Sequence, residues 1–174
     1  MGLMESLKAG TKSLDNMEDL FIEKLKMLYD VEDRLVDALP KMADAAADAQ
    51  LKRAFDEHAE VSRRQKERLA WCFDWLNVEA ETSTCEAIKG MISDGEVIMK
   101  ADGDPDVKDA ALIAAAQGVE HYEIAEYGAA RTFASRLGLD DIADLLQQTL
   151  DEEAQTDHKL TDLAASRVNP SAQV

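Results

Sequence analysis

Leu20, Leu25, Leu28, Leu35 and Leu39 recur at the spacing of one helix face, and Glu32 falls on the same stripe. Asp15 or Asn16 can cap this first predicted helix, with Glu18 and Asp19 well placed in its first turn, where the free amides favour negative charge. Pro40 removes a backbone donor and is expected to kink or end the helix. Residues 41–49 then read as a short continuation or as the approach to a turn. A second helix is predicted from Gln50 to Leu76, closed by Asn77. Its stripe runs Leu51, Phe55, His58, Ser62, Gln65, Leu69, Cys72, Phe73, Leu76, so its middle is polar and its two ends are apolar.

Residues 78–104 interrupt this rhythm. A polar stretch with Thr82, Ser83 and Thr84 leads into a shorter amphipathic segment carrying Ile88, Met91, Ile92, Ile98 and Met99. Asp104 as cap and Pro105 in the first turn open a third long helix, which Gly138 ends after Leu137. Its stripe is Ile113, Gln117, Glu120, Ile124, Tyr127 and Ala134. The fourth helix runs from Asp140 to Arg167, with Ile142, Leu146, Thr149, Glu153, Asp157, Leu160 and Leu163 on one side. Tight turns after the first and third helices make two antiparallel hairpins, and the middle segment can carry the chain from one end to the other. The expected architecture is all-α: a ferritin-like four-helix bundle with a long crossover that carries an extra short helix. Residues 1–14 form a flexible N-terminal lead, 15–168 the bundle and 169–174 a C-terminal tail. Val31-Glu32 and Val119-Glu120 occupy matching places in the first and third helices, a faint sign of duplication.

Composition fits one domain able to bury a core: 174 residues, 46% hydrophobic and 32% charged. A net charge of −17 argues against nucleic-acid backbones or anionic membranes as partners and suits solubility, salt tolerance or attraction of cations. Met1 to Lys12 holds no apolar core segment, and no run approaches the roughly 18 apolar residues of a membrane span. The expectation is a cytoplasmic protein with Cys72 and Cys85 as free thiols. Asp102-Gly103-Asp104 resembles a fragment of a calcium loop but lacks the remaining liganding positions.

Against this background the acids on the stripes stand out. A lone carboxylate buried in a core costs several kcal/mol or stays protonated. Glu32, Glu120 and Glu153 all replace an apolar residue at mid-helix, and His58 does so on the second helix. Di-metal carboxylate bundles need such groups from all four helices at one height, with oxygen donors and one or two imidazoles. Register agrees: Glu120 and Glu153 are 33 residues apart, Glu32 and His58 26, a difference of two helical turns. Glu123 and Asp157, one turn from Glu120 and Glu153, can complete or bridge the site. The plain alternative is a set of ordinary exposed acids in a chain holding 36 of them, or a salt bridge to a buried Arg131. Tyr29 could bond a ligand or relay an electron, though packing is the simpler role for it. His121 and His158 point outward, and Trp71 and Trp75 suit an interface.

Several stretches carry a family likeness: Lys108 to Gln117, Val119-Glu120-His121-Tyr122-Glu123-Ile124-Ala125, Ala38-Leu39-Pro40-Lys41-Met42, Ala54-Phe55 to His58, Cys85, and Thr149-Leu150-Asp151-Glu152-Glu153. Together they resemble the YciE/YciF-like family, a ferritin-like group with a domain of unknown function, over residues 17–169. The resemblance implies a rubrerythrin-like homodimer linked to bacterial stress response and binding iron; by donor chemistry alone, manganese suits the same set. It delivers no settled reaction. Family members often continue the second helix as His-Leu-x-x-Thr, whereas here His58 is followed by Ala59, Glu60, Val61 and Ser62. Against the wider ferritin pattern, Phe55 stands where a Glu would complete Glu-x-x-His, and Thr156 where a His would follow Glu153. Two functions stay open: a dinuclear iron or manganese protein that oxidises ferrous iron with oxygen or peroxide, or a non-catalytic bundle whose degenerate metal site is structural and which works through a partner.

Overall fold

Asn16 starts helix α1, Met17–Ala45, by accepting the Asp19 amide on its side chain at 2.9 Å. The computed structural model describes residues 14–172; nearly all of the expected lead and the end of the expected tail lie outside them. Helix α1 does not end at Pro40. The ring costs one helical bond to the Val36 carbonyl, but Val36 is only half-buried, where water can serve instead.

Asp48 caps α2, Ala49–Trp75, by accepting the Gln50 and Leu51 amides at 2.7 and 3.0 Å. Asn77 closes it from the left-handed region, at φ 54°. The connection that follows carries α3, Glu86–Lys100. Helix α4, Pro105–Arg136, begins at its Asp104 cap, and Gly138 at φ 73° turns the chain into α5, Asp140–Leu163. A wide π turn, Ala164–Val168, leads on to the short α6, Asn169–Ser171. Helical backbone thus continues past Asn169, where a tail was expected, and Val168 is buried.

Helices α1 and α5 each pack on both α2 and α4, and α3 lies against α1 and α4, so the molecule is a helical bundle. Neighbouring long helices run antiparallel. Lys66–Asp33 and Lys52–Asp44 fix that sense for α1 and α2, Arg68–Glu152 and Lys159–Glu57 for α2 and α5. Two apolar clusters fill the bundle. One includes Leu35, Leu39, Leu51, Phe55 and Leu112; the other includes Phe21, Leu25, Leu69, Phe73 and Ile142. Each such side chain contributes about 1.5–3 kcal/mol by leaving water. By sequence position on every helix, a belt of buried polar groups lies between them: Glu32, His58, Ser62, Gln65, Glu120, Glu123 and Glu153.

Two other buried acids have structural work. Asp109 of α4 accepts the Ala47 and Asp48 amides at 2.9 and 2.6 Å, tying the α1–α2 turn to α4. Asp30 of α1 accepts the Cys85 amide at 2.9 Å and binds Arg34 through both oxygens at 2.8 and 3.1 Å, which holds the start of α3. Among the described residues no helix is long and apolar enough to cross a membrane.

Candidate metal centre

The belt draws on each of the four long helices. Its centre is His58 of α2, Glu120 and Glu123 of α4, and Glu153 of α5: one donor atom from each lies within 4.8 Å of the others, and all four are buried. His58 Nδ1 is 3.3 Å from Glu120 Oε1, and Nε2 is 3.8 Å from Glu153 Oε2. Metal–ligand bonds of about 2.0–2.2 Å put donors on one ion at most about 4.4 Å apart, so a small inward movement closes the set.

Glu32 and Asp157 lie outside this group of four. Glu32 is fully buried on α1, where the Tyr127 hydroxyl donates to its Oε1. Its other oxygen has no partner. Asp157 is half-buried at the boundary of α4 and α5, accepts from Gln117 Nε2 at 2.9 Å and lies 3.4 Å from His121 Nε2.

Hydrogen bonds leave the centre unsatisfied. Both oxygens of Glu120, both of Glu123, one of Glu153 and both nitrogens of His58 have no hydrogen-bond partner. Gln65 Nε2 donates to the other Glu153 oxygen at 2.5 Å. Buried polar atoms are paired in the great majority of native structures, so this many orphans in one place point to a missing positive partner. Arg131 does not supply it: no ion pair joins Arg131 to a belt acid among the described residues, and its own buried Nε is without a partner.

Burial raises the Glu120, Glu123 and Glu32 carboxyls well above the usual range, and the charge of Glu153 adds to each. Tyr127 opposes the rise at Glu32 by donating to it. Glu153 is pushed up to about 7, chiefly by desolvation; its contacts with Glu120 and Gln65 and the nearby Arg68 hold it lower than the rest. Desolvation, helped by the charge of Lys159, takes His58 down to about 4, so at neutral pH its imidazole is uncharged and offers a lone pair. Burial also raises the Tyr127 phenol well above 10, with the Glu32 charge adding to it. Three acids and a neutral imidazole, oxygen-rich and sealed from water, suit a hard or borderline divalent cation such as iron or manganese.

Sequence reading missed the part played by Tyr127. Tyr29, the tyrosine weighed for that role, instead packs edge-on against Phe73, with ring centroids 5.7 Å apart, beneath the Lys66 ammonium. The signal for Tyr127 was its place on the Glu120 stripe. Ser62 and Gln65 were visible as the polar middle of the second stripe. His121 and His158 are exposed. Trp71 and Trp75 are also exposed and stack on each other at 5.2 Å.

The family model for a domain of unknown function, DUF892, matches residues 16–173. The chain belongs to this family. It is 41% identical over 162 residues to Protein YciF of Escherichia coli K12, covering 92% of this chain and 98% of that one. Among solved structures it is similar to the Escherichia coli stress protein YciF, at 42% identity and a TM-score of 0.86 over 90% of this chain and 99% of the other. YcfI of Rhodopseudomonas palustris is 38% identical with a TM-score of 0.83, over 87% and 96%. A Xanthomonas campestris protein shares the fold at 19% identity and a TM-score of 0.72, over 91% and 100%. This DUF892 chain therefore has the recognised family likeness along nearly its whole length.

Proposed function

We propose that the belt holds a dinuclear iron or manganese centre in a ferritin-like bundle, and that the protein serves in stress defence like the YciF it resembles. The observation that carries this reading is the set of four buried donors, His58, Glu120, Glu123 and Glu153, of which all but one Glu153 oxygen lack a partner. Glu120, Glu123 and Glu153 would supply oxygens and His58 a nitrogen. Glu32, with one oxygen held by Tyr127 and one free, would serve the second ion of the pair. Such a centre, when bound, supplies the electron transfer by which ferrous iron is oxidised with oxygen or peroxide. The chain's own part is to exclude water, hold the carboxylates apart and keep His58 unprotonated. Asp157 would stay outside the primary set.

One observation favours a second reading. Phe55, where a Glu would give α2 a second donor, is fully buried in the apolar cluster, and the Thr156 hydroxyl donates to the Glu152 carbonyl at 3.1 Å rather than facing the belt. A centre short of two ligands suits a structural metal in a bundle that works by binding a partner. The exposed Trp71–Trp75 pair offers such a partner an apolar surface.

Metal analysis of protein purified without chelator, followed by aerobic ferrous oxidation on wild type and Glu120→Ala, separates the readings. Bound iron or manganese with turnover lost in Glu120→Ala supports the first. Bound metal without turnover supports the second, and no bound transition metal in wild type refutes both.

A further inference from the structure

Four seams between the long helices surround the belt, and ion pairs close three of them. Lys66 of α2 meets Asp33 of α1, and Lys24 of α1 meets Glu126 of α4. The seam between α2 and α5 carries two locks, Arg68–Glu152 and Lys159–Glu57. Arg68 also donates to Glu152 and to Thr149 beside the belt, and its charge is felt at Glu32 and Glu153. That of Lys159 is felt at His58. A divalent cation passing along these seams has to separate an ion pair to reach the belt.

The seam between α4 and α5 is different. Among the described residues no Lys or Arg pairs across it. It is bridged by the neutral Gln117, whose Nε2 donates to Asp157 Oδ1 at 2.9 Å and to Thr161 Oγ1 at 2.8 Å, and by His121 at 3.4 Å from the same Asp157 oxygen. Asp157 stands one turn beyond Glu153, and Gln117 and His121 flank Glu120 along α4. Side-chain exposure falls from 69% at His121 to 22% at Asp157 and 1% at Glu120, a graded path from solvent to the belt. The Asp157 charge reaches Glu120 at the inner end.

We propose that the α4–α5 seam is the route by which a divalent cation reaches the belt, with Asp157 and His121 as its outer station. The proposal rests on the metal-binding reading of the belt. Asp157 draws the ion in, and its carboxylate with the His121 imidazole replaces the first waters. Gln117 swings aside without separating an ion pair. Glu120, which no hydrogen-bond donor holds, takes the ion inward.

The test is stopped-flow uptake of cobaltous chloride by the full chain stripped of metal, followed by the visible absorption of bound cobalt. Wild type is compared with Asp157→Asn, Asp157→Lys and Arg68→Gln. Uptake slows about 3-fold in Asp157→Asn and about 10-fold or more in Asp157→Lys, and high salt shrinks both differences. Final cobalt stoichiometry and the rise in melting temperature at saturation match wild type. Arg68→Gln takes up cobalt no more slowly than wild type. Unchanged uptake rates in both Asp157 variants overturn the route while leaving the belt's metal binding intact. Lost stoichiometry in Asp157→Asn also overturns it, because Asp157 is then a permanent ligand. A wild type that binds no cobalt overturns both the route and the reading beneath it.

Discussion

Asp109 and Glu120 lie eleven residues apart on the same helix, and both are shut off from solvent, yet they live in opposite surroundings. Asp109 accepts two backbone amides, which satisfy its charge and tie a turn in place. Glu120 accepts none and faces Glu153 across an uncharged His58. Burial alone therefore does not mark a functional acid; burial without donors does. Asp109 stabilises the fold by itself, whereas Glu120, Glu123 and Glu153 cost stability for as long as no cation balances them.

The largest effect should come from the satisfied acid. Asp109→Ala costs about 1.5–3 kcal/mol for each charged hydrogen bond lost, with or without metal. Thermal melts would show this as roughly 2–4 °C per kcal/mol for a chain of this size. The belt should respond strongly to its ligand. Manganese at a hundredfold excess over its dissociation constant adds about 2.7 kcal/mol to wild type and nothing to a Glu120→Gln, Glu153→Gln double variant. An equal rise in both proteins would break the contrast between the two acids.

Next in size, Glu120→Gln should stabilise the metal-free protein by about 1–2 kcal/mol at neutral pH, the reverse of the Asp109 result. The same logic sets the pH dependence of the metal-free form. Glu153 has a raised pKa, so its stabilising protonated form is fully present below its ordinary value of 4.5 and is lost as pH rises through about 7. His58 acts in the other direction: lowered from 6.5 to about 4, it adds stability above 6.5 that is lost as pH falls toward 4. Above pH 6.5 the His58 effect is spent, and the raised Glu32, Glu120 and Glu123 carboxyls act in the same direction as Glu153, so denaturant midpoints of metal-free protein should fall as pH rises toward 7 and fall less steeply in Glu153→Gln. Smallest is Tyr127→Phe, which takes the donor from Glu32 and costs about 1 kcal/mol, measured by urea unfolding of the metal-loaded protein.

Much of this was legible in the chain because helices announce themselves by period and punctuation. Asn16, Asn77, Asp104 and Gly138 all sit at helix boundaries, and two of them cap through their side chains. Carboxylates on leucine stripes pointed to the belt for the same reason. What could not be read was the difference between Glu123 and Asp157. A step of three residues turns a side chain about 60° one way around the helix, and a step of four about 40° the other. Glu123, three from Glu120, comes into the centre, while Asp157, four from Glu153, comes to the seam with α4. Which rotation faces inward depends on the helix crossing, and no single stripe records that. Whether Pro40 ends α1 was open for a related reason: its cost depends on whether the stranded carbonyl is buried, and the helix continues to Ala45.

The most direct test is an anomalous-scattering map from crystals grown with manganous ion. The account predicts a peak about 2.0–2.3 Å from donor atoms of His58, Glu120, Glu123 and Glu153 together, with any second peak toward Glu32. Manganese found only on the acidic surface, with the belt empty at saturating concentration, would contradict it.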